Sequence, residues 1–369
     1  MSGSFPIRGP TRTPNTKTGD YMAKMKDKTA QAGKKTTQVL GNAAKILKKM
    51  EDKKGVDYGK VHIMDGSNIE SVPTTSTGVL SLDLACGGGY PQGRLVEVSG
   101  DNATSKTTLT LHAIAAAQAA GGTCAFVDAE YTLDVMYAQK LGVNVPQMLL
   151  SQPDCGEQAF DVATGFAEQM SYGDIIVIDS VAALQPRVLL EGAIDDMSSA
   201  PGLHARLMAR GVAALNKIVA NTGVTVFFTN QMRATIQTGG YGPSKNTTGG
   251  NTLRFYASQR FEMRRGSQIK VGDEILGSEV IITVTKNKVA PPFRKAKTAN
   301  IFGEGMAPHV DVLQMGLTAG LVKKSGAWFS YADKQLGQGF MKSAEFLKGN
   351  PEELETLRQH VLSLYGVTK

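Results

Sequence analysis

Cysteine is scarce in this chain: three in 369 residues, at Cys86, Cys124 and Cys155. Three scattered thiols exclude a disulfide framework and point to a reducing compartment. Histidine is scarce as well, and its five copies form no ligand-spaced cluster, which leaves no structural zinc site. No apolar run reaches membrane-spanning length, and the first 30 residues lack the apolar core of a signal peptide. A cytoplasmic protein with no membrane partner is therefore expected. The length suits one large domain with attachments, or two to three domains.

Acidic residues are few at one end only. Residues 1–60 hold 14 Lys and Arg against 5 Asp and Glu, while the whole chain carries a net charge of +7, so the rest is close to neutral. A basic end fits a polyanionic partner such as nucleic acid. A solvated tail that aids solubility fits it too, and charge does not decide between them. Residues 1–35 are rich in Gly, Pro, Thr and Lys with little apolar periodicity, the composition of a disordered arm. From Thr37 a helical pattern begins, with Val39, Ala43, Ile46, Leu47 and Met50 on one face. That stripe needs a partner, either its own core or a neighbouring subunit.

Residues 68–306 read as one alternating α/β domain. "RLVEVSG" (94–100), "TCAFVDAE" (123–130), "DIIVIDS" (174–180) and "VTVFFTNQ" (224–231) are short apolar strands. "TTLTLHAIAAAQAAGG" (107–122) is a helix ending in glycines, and a further helix spans Val135 to Leu141. Such alternation predicts a mainly parallel sheet covered on both faces. Residues 307–369 read as a small α/β appendage with a helix opening near "NPEELETL" (350–357).

Between the first strand and its helix stands "GDNATSKTT", Gly100 to Thr108. A phosphate loop requires glycine, four residues, then glycine, lysine and Ser or Thr. Here Ser105 replaces the second glycine; its small side chain is accommodated if φ there stays negative. The context is otherwise right. Backbone N–H groups of Gly100, Asp101, Asn102, Ala103, Thr104, Ser105, Lys106, Thr107 and Thr108 would cradle phosphates at the helix start. Lys106 would reach the β- and γ-oxygens, and Thr107 would supply a hydroxyl to Mg²⁺. Asp179 closes "IIVID" at the carboxyl edge of a strand, where open parallel sheets bind ligands. It suits a carboxylate that holds Mg²⁺ through water, although an acid at a strand end is also common structurally. Glu130 closes "AFVDAE" and is placed to activate a water. Gln231 closes "VFFTNQ" and is placed to sense the γ-phosphate.

With these residues the sequence resembles the bacterial-type RecA recombinases, over about residues 37–365. The matching stretches are "TSTGVLSLDLACGGGYPQGRLVEVSG", "TTLTLHAIAAAQAAGGTCAFVDAEYTLDVMYAQKLGV", "SQPDCGEQA", "DSVAAL", "TTGGNTLRFYAS", "TKNKVAPPF" and "GAWFSY". The resemblance implies a RecA-type ATPase core (68–306), an N-terminal oligomerisation segment (36–67) that packs on the next subunit, and a small C-terminal domain (307–369). It implies ATP and Mg²⁺ between adjacent subunits of a helical filament, and a role in DNA repair and the SOS response. By the same resemblance Glu130 is the catalytic glutamate and Asp179 the magnesium-side acid. Tyr137 stacks on adenine with Asp134 beside it, and Gln231 links the γ-phosphate to DNA. Lys286 and Lys288 of "KNK" reach the neighbour's ATP. On the residues alone, those two lysines read as a solvated strand edge.

Two DNA-binding loops are implied, near 193–204 and 233–251. The second is also a flexible loop by composition. Arg206 and Arg210 follow the first; Arg233, Tyr241, Gly249, Gly250 and Asn251 belong to the second. Tyr241 either stacks on a base or packs at the loop base. The implied partners are single-stranded DNA, homologous duplex DNA, further copies of the chain, and single-strand-binding and mediator proteins. Three departures stand out: Ser105, the long arm 1–35, and the ending "LSLYGVTK", which lacks the acidic tail of many relatives and predicts weaker self-inhibition. Two rivals follow, a ring-shaped motor of the same fold and a DNA-coating scaffold that binds ATP without hydrolysing it. The N-terminal helix and "KNK" argue against the first, Glu130 against the second.

Overall fold

The computed structural model describes residues 39, 41–50, 52–53, 72–191, 202–235 and 244–367. The arm 1–35, residues 54–67 of the expected oligomerisation segment, and residues 193–201 and 236–243 of the expected DNA loops, Tyr241 included, lie outside the described residues. The chain divides into two units, Met1–Ser71 and Val72–Lys369. In the first, residues 41–50 form a helix, α1. Of its apolar stripe, Val39 and Ile46 stay exposed.

The second unit opens with strand β1 (Thr74–Thr75), helix α2 (Leu80–Cys86) and strand β2 (Tyr90–Pro91), which pairs with β1. The alternating region follows: β3 (Leu95–Gly100), α3 (Lys106–Ala119), β4 (Cys124–Asp128), α4 (Val135–Lys140), β5 (Met148–Ser151), α5 (Gly156–Gln169) and β6 (Ile175–Asp179). Next come α6 (Arg187–Glu191), α7 (Leu203–Thr222), β7 (Thr225–Thr235), β8 (Ser244–Thr247) and α8 (Thr252–Tyr256). Four strands complete the sheet: β9 (Gln259–Val271), β10 (Glu274–Asn287), β11 (Lys295–Ile301) and β12 (Gly305–Met306).

The sheet order is β12-β11-β10-β9-β3-β7-β6-β4-β5, with β8 attached to β7. From β9 to β5 every pair is parallel, as the alternating sequence predicted. The extension β9-β10-β11-β12 is antiparallel and was not read from the sequence. Successive strand residues enter opposite cores, as the two-residue period requires. Val96, Phe126, Val177 and Phe227 join α3 on one face, while Leu95, Val127, Ile178 and Phe228 join α5 and α7 on the other. Helix α3 is alanine-rich, a strong helix former, and is followed by Gly121 at φ 89°, a left-handed stop. Helix α7 buries Met208, Val212, Leu215 and Val219 at helical spacing.

The chain ends in α9 (Pro308–Thr318), an antiparallel sheet of β13 (Val322–Ser325), β14 (Trp328–Tyr331) and β15 (Lys334–Gln338), then α10 (Phe340–Gly349) and α11 (Pro351–Leu364). Its core, around Leu313, Leu347, Leu357 and Val361, also takes Leu80 and Leu84 from α2. All three cysteines are free and buried. Among the described residues, no helix is long and apolar enough to cross a membrane.

Candidate functional site

The phosphate loop leaves β3 at Gly100. A Cβ there would lie 2.5 Å from Thr104 Oγ1 and 2.6 Å from the Met263 carbonyl oxygen, so this glycine is demanded by close packing. The Thr104 hydroxyl donates to the Asp101 carbonyl at 2.9 Å and tightens the turn. Ala103 (φ 56°) and Ser105 (φ 68°) are both left-handed. Such turns gather successive N–H groups into a concave anion site. The Leu109 N–H donates to the Ser105 carbonyl at 3.0 Å as α3 begins, so the first-turn N–H groups before it have no intrahelical partner and are available to phosphate oxygens.

The condition set for Ser105, a negative φ, is not met. The loop keeps the left-handed backbone that glycine would supply, and serine carries a penalty of roughly 1–2 kcal/mol for adopting it. Its hydroxyl accepts from Asn300 Nδ2 on β11 at 2.8 Å.

Lys106 Nζ lies over the loop, donating to the carbonyls of Asp101 (2.9 Å) and Gly100 (3.3 Å). Burial holds its pKa below the usual lysine value, opposed by the charges of Asp179, Glu130 and Asp101. The Thr107 hydroxyl donates to Asp179 Oδ2 at 2.6 Å, which brings the two expected magnesium ligands together. The other oxygen of Asp179 accepts the hydroxyl of buried Thr229. Burial raises the Asp179 carboxyl above its ordinary value, while the Thr107 and Thr229 hydrogen bonds pull it back. A hydroxyl and a carboxylate are hard oxygen donors, the set Mg²⁺ takes when phosphates and waters complete its shell.

Glu130 and Gln231 also converge on this edge, but neither closes its strand. Strand β4 ends at Asp128, and Glu130 lies two residues further, in the turn. Its carboxylate accepts from the Ser180 hydroxyl, one residue after Asp179, and from Gln231 Nε2 at 3.5 Å. The Asp179–Ser180 peptide is cis. Gln231 is the last β7 residue in register with β3, opposite Gly100. Beyond it β7 continues to Thr235 and pairs with β8, Met232 opposite Thr247 and Arg233 opposite Asn246. The base of the second expected loop is therefore a β-ribbon that starts beside Gln231.

Asp134 caps α4, accepting from the Tyr137 N–H at 2.9 Å, and the Tyr137 hydroxyl lies 3.2 Å from Thr108 Oγ1 in the first turn of α3. Tyr137 thus borders the phosphate loop, with Asp134 on the turn that leads into its helix. Lys286 and Lys288 do not border it. In the sheet register Lys286 pairs with Arg260, which pairs with Glu97, three positions before Gly100. Its ammonium donates to the carbonyls of Arg254 (2.8 Å) and Phe255 (3.0 Å) at the end of α8. Burial, then the nearby Lys288 and Arg260 charges, hold its pKa down.

Gly249 (φ 86°) and Gly250 (φ 71°) pack against the start of α7. A Cβ on Gly249 would lie 2.9 Å from Val181 Cγ1 and 3.3 Å from Met208 Cγ; one on Gly250, 3.8 Å from Ala205 Cβ. The Gly249 Cβ position is also 3.7 Å from His204 Cε1, so the described ends of the two expected DNA segments meet here, with Asn251 exposed at the start of α8. Arg206 and Arg210 are exposed on α7 and line a groove of about 810 Å³ shared with Glu157 and Asp161.

Sequence reasoning missed three supporting residues. Glu97, fully buried in β3, accepts from Arg260 Nε and from Asn230 Nδ2 at 2.9 Å. Asn230 Nδ2 also donates to the Thr248 carbonyl at 3.0 Å, tying the ribbon base to the sheet. The signal was a lone acid within an apolar strand, which a buried position tolerates only with a partner. Thr229, which holds Asp179, left no such mark.

The family model for the RecA N-terminal domain matches residues 42–307, and that for the RecA C-terminal domain residues 310–366. The chain is 46% identical over 310 residues to Protein RecA of Campylobacter jejuni subsp. doylei, covering 84% of this chain and 90% of that protein. It is 45% identical, with the same coverage, to Protein RecA of Campylobacter jejuni subsp. jejuni serotype O:23/36.

Proposed function

Because the chain belongs to the RecA family, and is thus a DNA-dependent ATPase of homologous recombination and strand exchange, we propose that its nucleotide is ATP with Mg²⁺ and that it coats single-stranded DNA as a helical filament. The observation that carries this reading is the joining of Glu130 to Gln231, where the phosphate site and the β7–β8 ribbon meet.

In this reading the loop N–H groups and Lys106 hold the β- and γ-phosphates. Thr107 and Asp179 hold Mg²⁺, which neutralises charge on the phosphate oxygens when bound. Thr229 orients Asp179 by occupying its second oxygen. Glu130 takes a proton from the attacking water, and Ser180 and Gln231 fix the direction of its carboxylate. Asp134 and Tyr137 border the base. As the family resemblance implies, Lys286 and Lys288 act on a neighbour's ATP, stabilising negative charge at its γ-phosphate.

Single-stranded DNA contacts Arg206, Arg210, Arg233, Tyr241, Gly249, Gly250 and Asn251. Gln231 passes nucleotide state to the ribbon, and hydrolysis loosens the DNA. Residues 36–67 join adjacent subunits, 68–306 form the ATPase core, and 307–369 form the small terminal domain. Negative-stain imaging with single-stranded DNA tests the assembly. Open helical filaments with a non-hydrolysable ATP analogue, shortened with ADP, are expected; closed rings of fixed size would overturn it.

A further inference from the structure

We propose that Asn300 is a positioning residue of the phosphate loop: its side-chain amide holds Ser105 in the left-handed conformation that glycine ordinarily supplies before the lysine. The inference rests on the nucleotide reading above and names the device by which this chain keeps that site without its second glycine.

The backbone makes the demand first. Ser105 stands at φ 68° and ψ 31°, two residues after another left-handed residue, Ala103. A shift of Ser105 to negative φ would turn the N–H groups at the start of α3 away from the loop's concave face. Glycine occupies this region at no steric penalty and serine does not, so the serine needs an outside hold. Its hydroxyl gives no cap to α3. Among the described residues, its hydrogen-bond partner is Asn300 Nδ2 at 2.8 Å, from a strand 195 positions along the chain.

The anchor is itself fixed. Asn300 is paired on both sides within the sheet, opposite Ser278 on β10 and Met306 on β12. The Met306 N–H donates to His112 Nε2 on α3 at 2.9 Å. The β11–β12 pair therefore grips α3 twice, at the residue before its first turn and at His112. The amide is satisfied on its nitrogen side only. Among the described residues, Asn300 Oδ1 is buried without a hydrogen-bond partner. An apolar side chain here would avoid that desolvation penalty, so what the amide contributes at this position is the one bond to Ser105.

Isothermal titration of ADP with Mg²⁺ tests the proposal across paired variants. Asn300→Leu is expected to weaken ADP binding about fivefold to tenfold, the size of one lost hydrogen bond. Ser105→Ala should weaken it similarly, because it keeps the Cβ and loses the hold. Ser105→Gly should not weaken it. In the Ser105→Gly background, Asn300→Leu should change affinity less than about twofold, since glycine needs no hold. Asn300→Ala serves in the same cycle should the leucine variant not fold. Equal losses from the Asn300 change in both backgrounds, or no loss with serine present, would overturn the proposal. A wild-type protein that binds ADP no better than Lys106→Ala would instead overturn the nucleotide reading beneath it.

Discussion

Gln231 Nε2 donates to Glu130 Oε1 across 3.5 Å, joining the residue where β7 leaves the parallel sheet to the acid beside the phosphate loop. At 3.5 Å the contact lies at the long limit of a hydrogen bond. A γ-phosphate that competes for the amide would release Gln231, and the ribbon beyond it would report the change. Communication between nucleotide and DNA then needs no path longer than one side chain.

That relationship gives the first prediction. Gln231→Ala should bring the ratio of DNA-stimulated to basal ATP hydrolysis close to one, because the ribbon no longer reads the site. Steady-state phosphate release with and without single-stranded DNA gives the ratio. A ratio equal to that of the wild type would show that the signal takes another route.

Thr229→Val removes the hydroxyl on Asp179 Oδ1 and nearly preserves volume. With one hydrogen bond fewer, the buried carboxylate is less well held and less easily ionised. The Mg²⁺ concentration for half-maximal turnover should rise about fivefold, the equivalent of roughly 1 kcal/mol. A magnesium titration at saturating ATP checks this.

Glu97→Leu leaves the Arg260 guanidinium and the Asn230 amide without their shared acceptor. Removing one partner of a buried pair typically destabilises by roughly 3–5 kcal/mol. The variant should melt several degrees lower in a thermal scan, and the loss should shrink when Arg260→Met is added.

Burial holds His112 at a pKa of about 4, below its unfolded value near 6.5. The unfolded chain therefore binds more protons than the folded one between those limits. Stability from this group is full above pH 6.5 and declines as pH falls towards 4, by on the order of 2 kcal/mol at pH 5. Asp311, raised by burial to about 6, works in the opposite sense. The comparison to make is thus wild type against His112→Gln, by denaturant titration at pH 5 and pH 7. The stability of the wild type relative to the variant should be lower at pH 5; an equal difference at both values would contradict it.

Much of the alternating region was legible because local signals agreed. "RLVEVSG", "GDNATSKTT" and "TTLTLHAIAAAQAAGG" form a strand, a loop and a helix in the order their composition demands. Asp179 closes its strand as expected. Long-range pairing was less visible. Nothing local says that β9 to β12 run antiparallel, or that Asn300 meets Ser105 from 195 residues away. The left-handed conformation of Ser105 was not legible for that reason, since its partner Asn300 lies in another strand. Glu130 and Gln231 were placed at strand ends by an apolar-run rule. The turn after Asp128 and the ribbon after Gln231 are set by tertiary pairing instead. The trans role proposed for Lys286 and Lys288 would belong to an assembly, which one chain's periodicity does not encode.

The measurement that tests the account most directly is ATP hydrolysis with and without single-stranded DNA, for the wild type and for Glu130→Gln. The substitution keeps an acceptor for Ser180 and removes the base. Strong stimulation by DNA in the wild type, with turnover abolished at least a hundredfold (about 3 kcal/mol) in the variant, is the predicted result. Equal turnover in both proteins would contradict the role of Glu130. ATP-dependent DNA binding without any turnover in the wild type would contradict the hydrolytic mechanism itself.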